Sequence, residues 1–392
     1  MHPSGRLYGN KDRRLGGNRV LLCISGSIAA TETVKLSRDL IRHGAEVIPL
    51  MTEAAARIID KEAVHFACGT APITSLSGEV EHISLFADDR LNAVVVAPAT
   101  ADVISKISLA IADDAVTTLC LNALGMNLPV IIAPSMSATM LNNPFLIENI
   151  ERLRRQGVNV LPSIIAENEA KMLDSTFIVE EAARCFSRGT LRRRNVLVVG
   201  GAGEEPLDDV RLLTSRSTGR TAVEIATAAY EQKANVTMWC GRMEVELPTF
   251  LKISRFTTLS DLRTMIAGRK FDIVIVPASL PDFIPEKRRG KISSASDIEL
   301  KLRRAPKFIE EVRNRCRVLV AFKAEIGIES ATAGSGKRKL KAARLDMIIA
   351  NSLEHVRENT TKAYILTAKS EEVFEGTKRE LAEKIVDILP SL

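Results

Sequence analysis

Two spacings of apolar residues alternate along the first half of the chain. Short runs of aliphatic and β-branched residues at 19–25 (RVLLCIS), 45–51, 93–97 and 129–133 read as strands buried on both faces. Between them the spacing becomes helical: Val34, Leu36, Leu40 and Ile41 follow the first run, and similar patterns occupy 113–124 and 142–156, the last carrying Asn149 and Arg152. Strands that alternate with helices through right-handed crossovers give a doubly wound parallel sheet. The basic stretch Leu191-Arg192-Arg193-Arg194 precedes a second α/β pattern, with strands at 195–199 and 271–278, a helix starting near Arg220 and a further strand, DMIIAN, opening at Asp346. The organisation expected is a disordered basic tail over 1–18, a first domain over 19–190 and a second over 191–392.

Length supports two domains, since 392 residues exceed what one ordinary core serves. With 46% hydrophobic and 26% charged residues the chain has the profile of a soluble globular protein. Apolar runs fall short of a membrane span, and residues 1–18 lack the apolar core of a signal peptide, so a cytoplasmic protein without a membrane partner is expected. Cys23, Cys68, Cys120, Cys185, Cys240 and Cys316 are scattered without CxxC pairing, which indicates neither a disulfide framework nor a zinc site. The net charge of +6 is spread over short clusters, a pattern suited to anionic metabolites rather than to nucleic acid.

Candidate chemistry collects at the carboxyl ends of the strands, where open α/β sheets bind ligands. The first strand runs into Gly26-Ser27-Ile28-Ala29-Ala30, a turn whose amides suit a phosphate at a helix start. It is not the full GxGxxG fingerprint, so a mononucleotide fits better; the alternative is a small-residue turn needed only for packing. Thr52 ends the second strand, and the third ends in Pro98-Ala99-Thr100-Ala101, small enough to admit something flat. His82 stands just before that third strand and carries the one side chain that titrates near neutrality unaided, although a lone histidine is more often structural. In the second half, GGAGEEPLDDVRLLTSRSTGR places a glycine-rich loop beside Arg211, Arg216 and Arg220, again facing an anion.

The first domain resembles the homo-oligomeric flavin-containing cysteine decarboxylases, and the whole chain resembles the bifunctional coenzyme A biosynthesis proteins that join phosphopantothenoylcysteine decarboxylase to phosphopantothenate cysteine ligase. GSIAA is similar to the family's FMN phosphate turn, EHISL to its active-site histidine motif, PATADV to its PASANT-type flavin motif and PSMSATM to its PxMNxxM motif, in the same order. The resemblance implies FMN held by Gly26, Ser27, Ile28, Thr52, Ala99, Thr100, Ala101 and Met136, with His82 as the proton-transfer group and Ser137, Met140 and Lys171 on the substrate. It implies oxidation of the substrate thiol to a thioaldehyde, which serves as electron sink for loss of carbon dioxide. Two departures stand out. Ser137 occupies the position of the family asparagine that holds the substrate carboxylate, and the flap ACGxxGxGRM is replaced by IIAENEAKMLDS, without cysteine. Glu167, Glu169 or Lys171 then takes the role of the flap acid, or the final reduction fails; a flap of helix-forming surface residues without chemistry is the alternative.

The second half resembles the ligase motif GGTxExIDPVRxxxNxSSG, with Ser215 at the family asparagine that helps turn over the acyl-nucleotide and Ser217-Thr218-Gly219 in place of SSG. By the same resemblance this Rossmann-like domain binds nucleotide through Gly201, Ala278, Asp282, Lys291, Pro306, Phe308, Phe322, Lys339 and Lys341. Lys291, on the loop PEKRRGKISS, corresponds to the lysine of a KIK motif and would neutralise charge as pyrophosphate departs; taken singly it reads as a surface lysine. The chemistry implied is attack of the phosphopantothenate carboxylate on CTP, giving an acyl-cytidylate that the amine of cysteine then opens. Mg2+ would hold the triphosphate, and Asp282 binds either metal or nucleotide; CTP and ATP stay open as the nucleotide. Similar proteins form trimers through the flavin domain and dimers through the ligase domain, building a dodecamer. Three other readings compete: a ligase whose flavin domain only scaffolds assembly, a flavin-binding regulatory protein, and an NAD-type Rossmann pair.

Overall fold

The computed structural model describes residues 2–87, 91–293, 297–325, 337–352 and 358–392. Three residues of the stretch between Val80 and Ile104, at 88–90, and the last serine of PEKRRGKISS lie outside them. The chain divides between Ser187 and Arg188 into two compact units.

In the first unit, β1 (Arg19–Ile24), β2 (Glu46–Met51), β3 (Leu91–Ala99), β4 (Val130–Pro134) and β5 (Asn159–Val160) form one parallel sheet in the order β2-β1-β3-β4-β5. Alternate residues of β1 serve opposite faces. Val20, Leu22 and Ile24 pack with Leu36 and Leu40 of α1 (Thr33–Arg42), and Leu21 and Cys23 pack against Ile104 of α2 (Ala101–Ser108) and Leu119 of α3 (Ala115–Gly125). Because β1 has β2 on one side and β3 on the other, the chain reverses direction between β1 and β3. That is the topological switch point at which doubly wound sheets open a crevice, and this strand order is the flavodoxin-like one.

The expectation of a disordered tail is corrected. Leu15 is wholly buried, its amide bonds the His43 carbonyl at 2.9 Å, and Arg14 forms a 2.5 Å ion pair with the buried Glu180. An apolar anchor and a buried charge partner give this segment enough to offset the entropy of ordering it. After the GSIAA turn the expected helix follows as α1; between them the Ser27 hydroxyl caps a single 3-10 turn, Ile28–Glu32.

The second unit holds β6 (Asn195–Gly200), β7 (Asn235–Cys240), β8 (Lys252–Arg255), β9 (Phe271–Val276), β10 (Cys316–Glu325), β11 (Met347–Ser352), β12 (Thr360–Thr367) and β13 (Glu371–Thr377), in the order β8-β7-β6-β9-β10-β11-β12-β13. Strands β6 to β11 run parallel, and β12 and β13 return antiparallel. Val196 and Val198 face α4 (Arg220–Glu231), whereas Leu197 and Val199 face Leu259, Leu262 and Ile266. Here too the chain reverses beside its first strand, between β6 and β9. Among the described residues no helix is long and apolar enough to cross a membrane.

Candidate functional sites

At the first switch point a serine ties two strand ends together. The Ser25 hydroxyl donates to the Pro98 carbonyl at 2.8 Å and accepts from the Thr100 amide at 2.9 Å, and the Ser25 amide reaches the same carbonyl at 3.2 Å. The register of β3 with β4 shifts between Val96 and Ala99, where a proline supplies no amide to the ladder. Thr52 and Thr100 each cap a helix start, accepting from Ala55 N at 3.1 Å and Val103 N at 3.5 Å. Gly26 is required to be small: a Cβ there would stand 2.5 Å from that of Ala54.

Beside the turn lies a cavity of about 640 Å³, within the range of sites for flat cofactors. Of the expected residues it brings together Ser27, Ile28, Met136, Ser137 and Lys171; its lining does not include Gly26, Thr52, His82, Ala99, Thr100, Ala101 or Met140. Sequence reasoning missed Ser135, whose hydroxyl lies 2.9 Å from that of Ser27, and the charged lining residues Glu32, Lys35 and Asp174. Only a three-dimensional neighbourhood could have linked Ser135 to Ser27, 108 positions away.

The flap forms a β-hairpin, not a helix. Ile164–Ala166 pairs antiparallel with Glu169–Lys171, which pairs in turn with Met136–Ser137. Glu167 and Asn168 have φ of 54° and 63°, the two left-handed positions of a tight hairpin turn, and the Asn168 carbonyl accepts from the Ala138 amide at 3.0 Å. Glu167 and Lys171 form a 2.6 Å pair that lowers the carboxyl pKa and raises the ammonium pKa, each chiefly through the shared hydrogen bond. The pair leaves Glu167 a carboxylate without a proton to give, while Lys171 keeps its ammonium protons. Ser137 spends its hydroxyl oxygen on the Met140 amide at 3.3 Å.

His82 sits on a four-residue helix, Glu81–Ser84, entered through Val80 at φ 53°. A β-branched residue in that region is an outlier and costs on the order of 1–3 kcal/mol. Glu81 closes the entry by accepting from the Ser77 amide at 2.9 Å, and the His82 carbonyl accepts from the Asn122 side chain. Nδ1 of His82 is buried and has no hydrogen-bond partner among the described residues.

In the second unit the glycine-rich turn crosses the strand ends. Gly203 N donates to Ser279 O at 3.1 Å, Ser279 N to Gly201 O at 2.9 Å, and Ala202 exchanges backbone bonds with Arg242. Gly201 and Gly219 are both left-handed, and a Cβ on either would strike Met243. Gly219 opens α4 without a side-chain cap of its own; the Arg220 amide donates to the Thr218 hydroxyl at 3.5 Å and the Ala222 amide to the Gly219 carbonyl at 3.0 Å. The Ser215 hydroxyl is buried and unpartnered among the described residues.

Several expected nucleotide residues fall elsewhere. Asp282 pairs with Lys307, and among the described residues no group of three or more His, Cys, Asp or Glu side chains gathers to hold a metal. A lone carboxylate neutralised by lysine does not fit a resident Mg2+. Phe308 is packed in the core beside Val312 and Leu319, next to Pro306 at the foot of its helix, and Phe322 packs partly buried on the opposite face. Lys339 and Lys341 lie two positions apart on the helical segment 337–342, so they project roughly 200° apart and cannot face one ligand together. Ala278 bonds β6 through Val199 O at 2.9 Å, while Lys291 is exposed.

Comparison with known proteins decides between the competing readings. Residues 9–187 match the family described as Flavoprotein, and residues 191–392 match the DNA/pantothenate metabolism flavoprotein C-terminal domain. A coenzyme A biosynthesis bifunctional protein CoaBC of Thermococcus kodakarensis is 35% identical over 99% of this chain and 98% of its own. This chain belongs to that family. The corresponding protein of Methanocaldococcus jannaschii is 34% identical over 100% of this chain and 98% of its own, and that of Vibrio vulnificus 30% over 86% and 88%. The protein is accordingly a bifunctional enzyme of coenzyme A biosynthesis, a flavin-containing decarboxylase and a ligase. The NAD-type reading is set aside.

Proposed function

We propose that the second unit joins phosphopantothenate to cysteine through an acyl-cytidylate made from CTP, and that the first, with FMN, decarboxylates the resulting phosphopantothenoylcysteine to phosphopantetheine. FMN fits the cavity at the first switch point: the Ser27 turn and Ser135 offer polar groups at one end, and Met136 lies along its wall. When bound, the flavin supplies reversible two-electron oxidation of the thiol-bearing carbon. Ser137 and the hairpin cover the substrate, Lys171 lies within reach of its carboxylate, and His82 moves the thiol proton.

The observation that carries this reading is the buried, unpartnered Nδ1 of His82 in a chain whose cofactor-sized cavity His82 does not line. We read the complete site as shared between copies of the chain, as a trimer, with dimers of the ligase units extending it to a dodecamer. In the ligase, Lys291 stabilises charge on the departing pyrophosphate, the Gly201 turn receives phosphates, and Ser215 stands by the acyl-cytidylate. Mg2+ enters as part of the CTP co-substrate. Two variants test the division of labour. His82→Asn should stop release of carbon dioxide while flavin stays bound and ligation continues; Lys291→Gln should stop pyrophosphate release while decarboxylation continues. Normal turnover by either variant removes its residue from the mechanism.

A further inference from the structure

The loop that presents Lys291 is gripped on both sides by two adjacent aspartates far away in sequence. On the C-terminal side, Asp208 Oδ2 accepts from the Ile292 amide at 3.0 Å and from Arg211 Nη1 at 3.1 Å, and that same nitrogen donates to the Ile292 carbonyl at 3.1 Å. Its other oxygen accepts from the Val210 and Arg211 amides at 2.7 and 2.5 Å, so four donors converge on one carboxylate that is 2% exposed. On the N-terminal side, Asp209 Oδ2 accepts from the Gly290 amide at 2.7 Å, and Oδ1 pairs with Lys287 at 2.9 Å. Gly290 takes φ of 70° to meet it. The Arg288 amide adds a bond to the Leu207 carbonyl at 3.0 Å.

We propose that Asp208 is the positioning residue for Lys291: it fixes the peptide that follows the lysine, as Asp209 fixes the one before, so that the ammonium is offered from a held backbone. This rests on the ligase role of Lys291 proposed above. The physical reason is that a lysine side chain has four rotatable carbons of its own, and an unfixed loop would add backbone freedom to them. A displacement of about 1 Å at a charge-stabilising group can lower a rate on the order of 100-fold. An asparagine at 208 keeps one acceptor and sets an NH2 against the donors of the other side, so the fold of the Asp208 turn survives while the link to Ile292 is lost.

The test uses full-length protein carrying Asp208→Asn, Lys291→Gln or both, assayed for pyrophosphate release from CTP and phosphopantothenate, with trypsin cleavage after Arg288 and Arg289 followed alongside. The expected result is faster cleavage in Asp208→Asn, a fall in kcat of roughly 10- to 100-fold with KM for CTP changed by less than about threefold, and a double variant no slower than Lys291→Gln alone. A loop as resistant as in the parent, or losses that multiply in the double variant, overturns the proposal. If the loop opens but Lys291→Gln releases pyrophosphate normally, the anchor stands and the catalytic reading of Lys291 falls instead.

Discussion

Ser25 and Thr100, 75 positions apart, are joined at 2.9 Å by a hydrogen bond from the Thr100 amide to the Ser25 hydroxyl, which in turn donates to Pro98 O. The bond closes the gap where β1 and β3 part, at the strand end that leads into the Ser27 turn of the cavity. Ser25→Ala leaves the Thr100 amide without this partner, while Pro98 O keeps the Ser25 amide, at a cost of about 1–3 kcal/mol. We expect a lower melting temperature and faster flavin loss on dilution; an unchanged flavin off-rate would show that the bridge is only a packing contact.

A shared flavin site predicts complementation between inactive copies. His82→Asn keeps the cavity but loses the proton carrier, whereas Ser27→Trp fills the cavity and keeps His82. Co-expressed, the two should form mixed oligomers that release carbon dioxide well above the sum of the separate variants. Release no greater than that sum would place the complete site within one chain.

Acid should loosen the first unit. Burial, with help from Arg14, lowers the His43 pKa from its ordinary 6.5 against the opposing pull of Asp12. The folded state therefore binds fewer protons than the unfolded one below about pH 6.5, and stability falls as pH drops through that value. Asp12 acts in the same sense lower down: its pKa is held below 3.8 although burial opposes this, chiefly by the His43 hydrogen bond. Its contribution is lost as pH falls under about 4. Denaturant midpoints at pH 7.5, 6 and 5 should decline in order, and His43→Gln should flatten the upper part of that decline.

The second unit has an ion triad, partly buried at Arg379 and Glu231 and exposed at Glu383, as its test of stability. Arg379, on the helix Lys378–Ile388, pairs with Glu231 at the end of α4 and with Glu383 at 2.7 Å. Burial alone would lower the Arg379 pKa, but the two carboxylates, Glu231 first, outweigh it and raise it. Glu231→Ala removes the better-buried partner but leaves Glu383 on Arg379, so it should destabilise the unit by about 1–3 kcal/mol. A shift of less than one degree in its melting transition would count against that role.

Much of this was readable from the chain because it lies in local pattern. The strands over 19–24, 46–51, 130–134 and 195–200 follow from short, mostly apolar runs, and the helices over 115–125 and 144–155 from apolar spacing. The tail failed because its composition is polar, while its order depends on Leu15, His43 and Glu180, three residues distant in sequence. The hairpin of the flap was not legible for a related reason: Glu, Ala and Lys favour helix, but a strand at Met136 and two left-handed residues at the tip override that preference. At the sites, Ser27, Met136, Ser137 and Lys171 were found by motif and do share a cavity. Ser135 and Asp208 were not, since each matters through a partner that only folding brings near.

The two-residue tip at Glu167 and Asn168 also fixes what kind of change the hairpin can survive. Ala170 is 1% exposed between Glu169 and Lys171, whose side chains point the other way, because a strand alternates sides at every step. One extra residue at the tip would slide the returning strand by a single place and press a charge where the alanine methyl now fits; two would restore the phase. Homologous hairpins that vary in length should therefore differ from this one by even numbers.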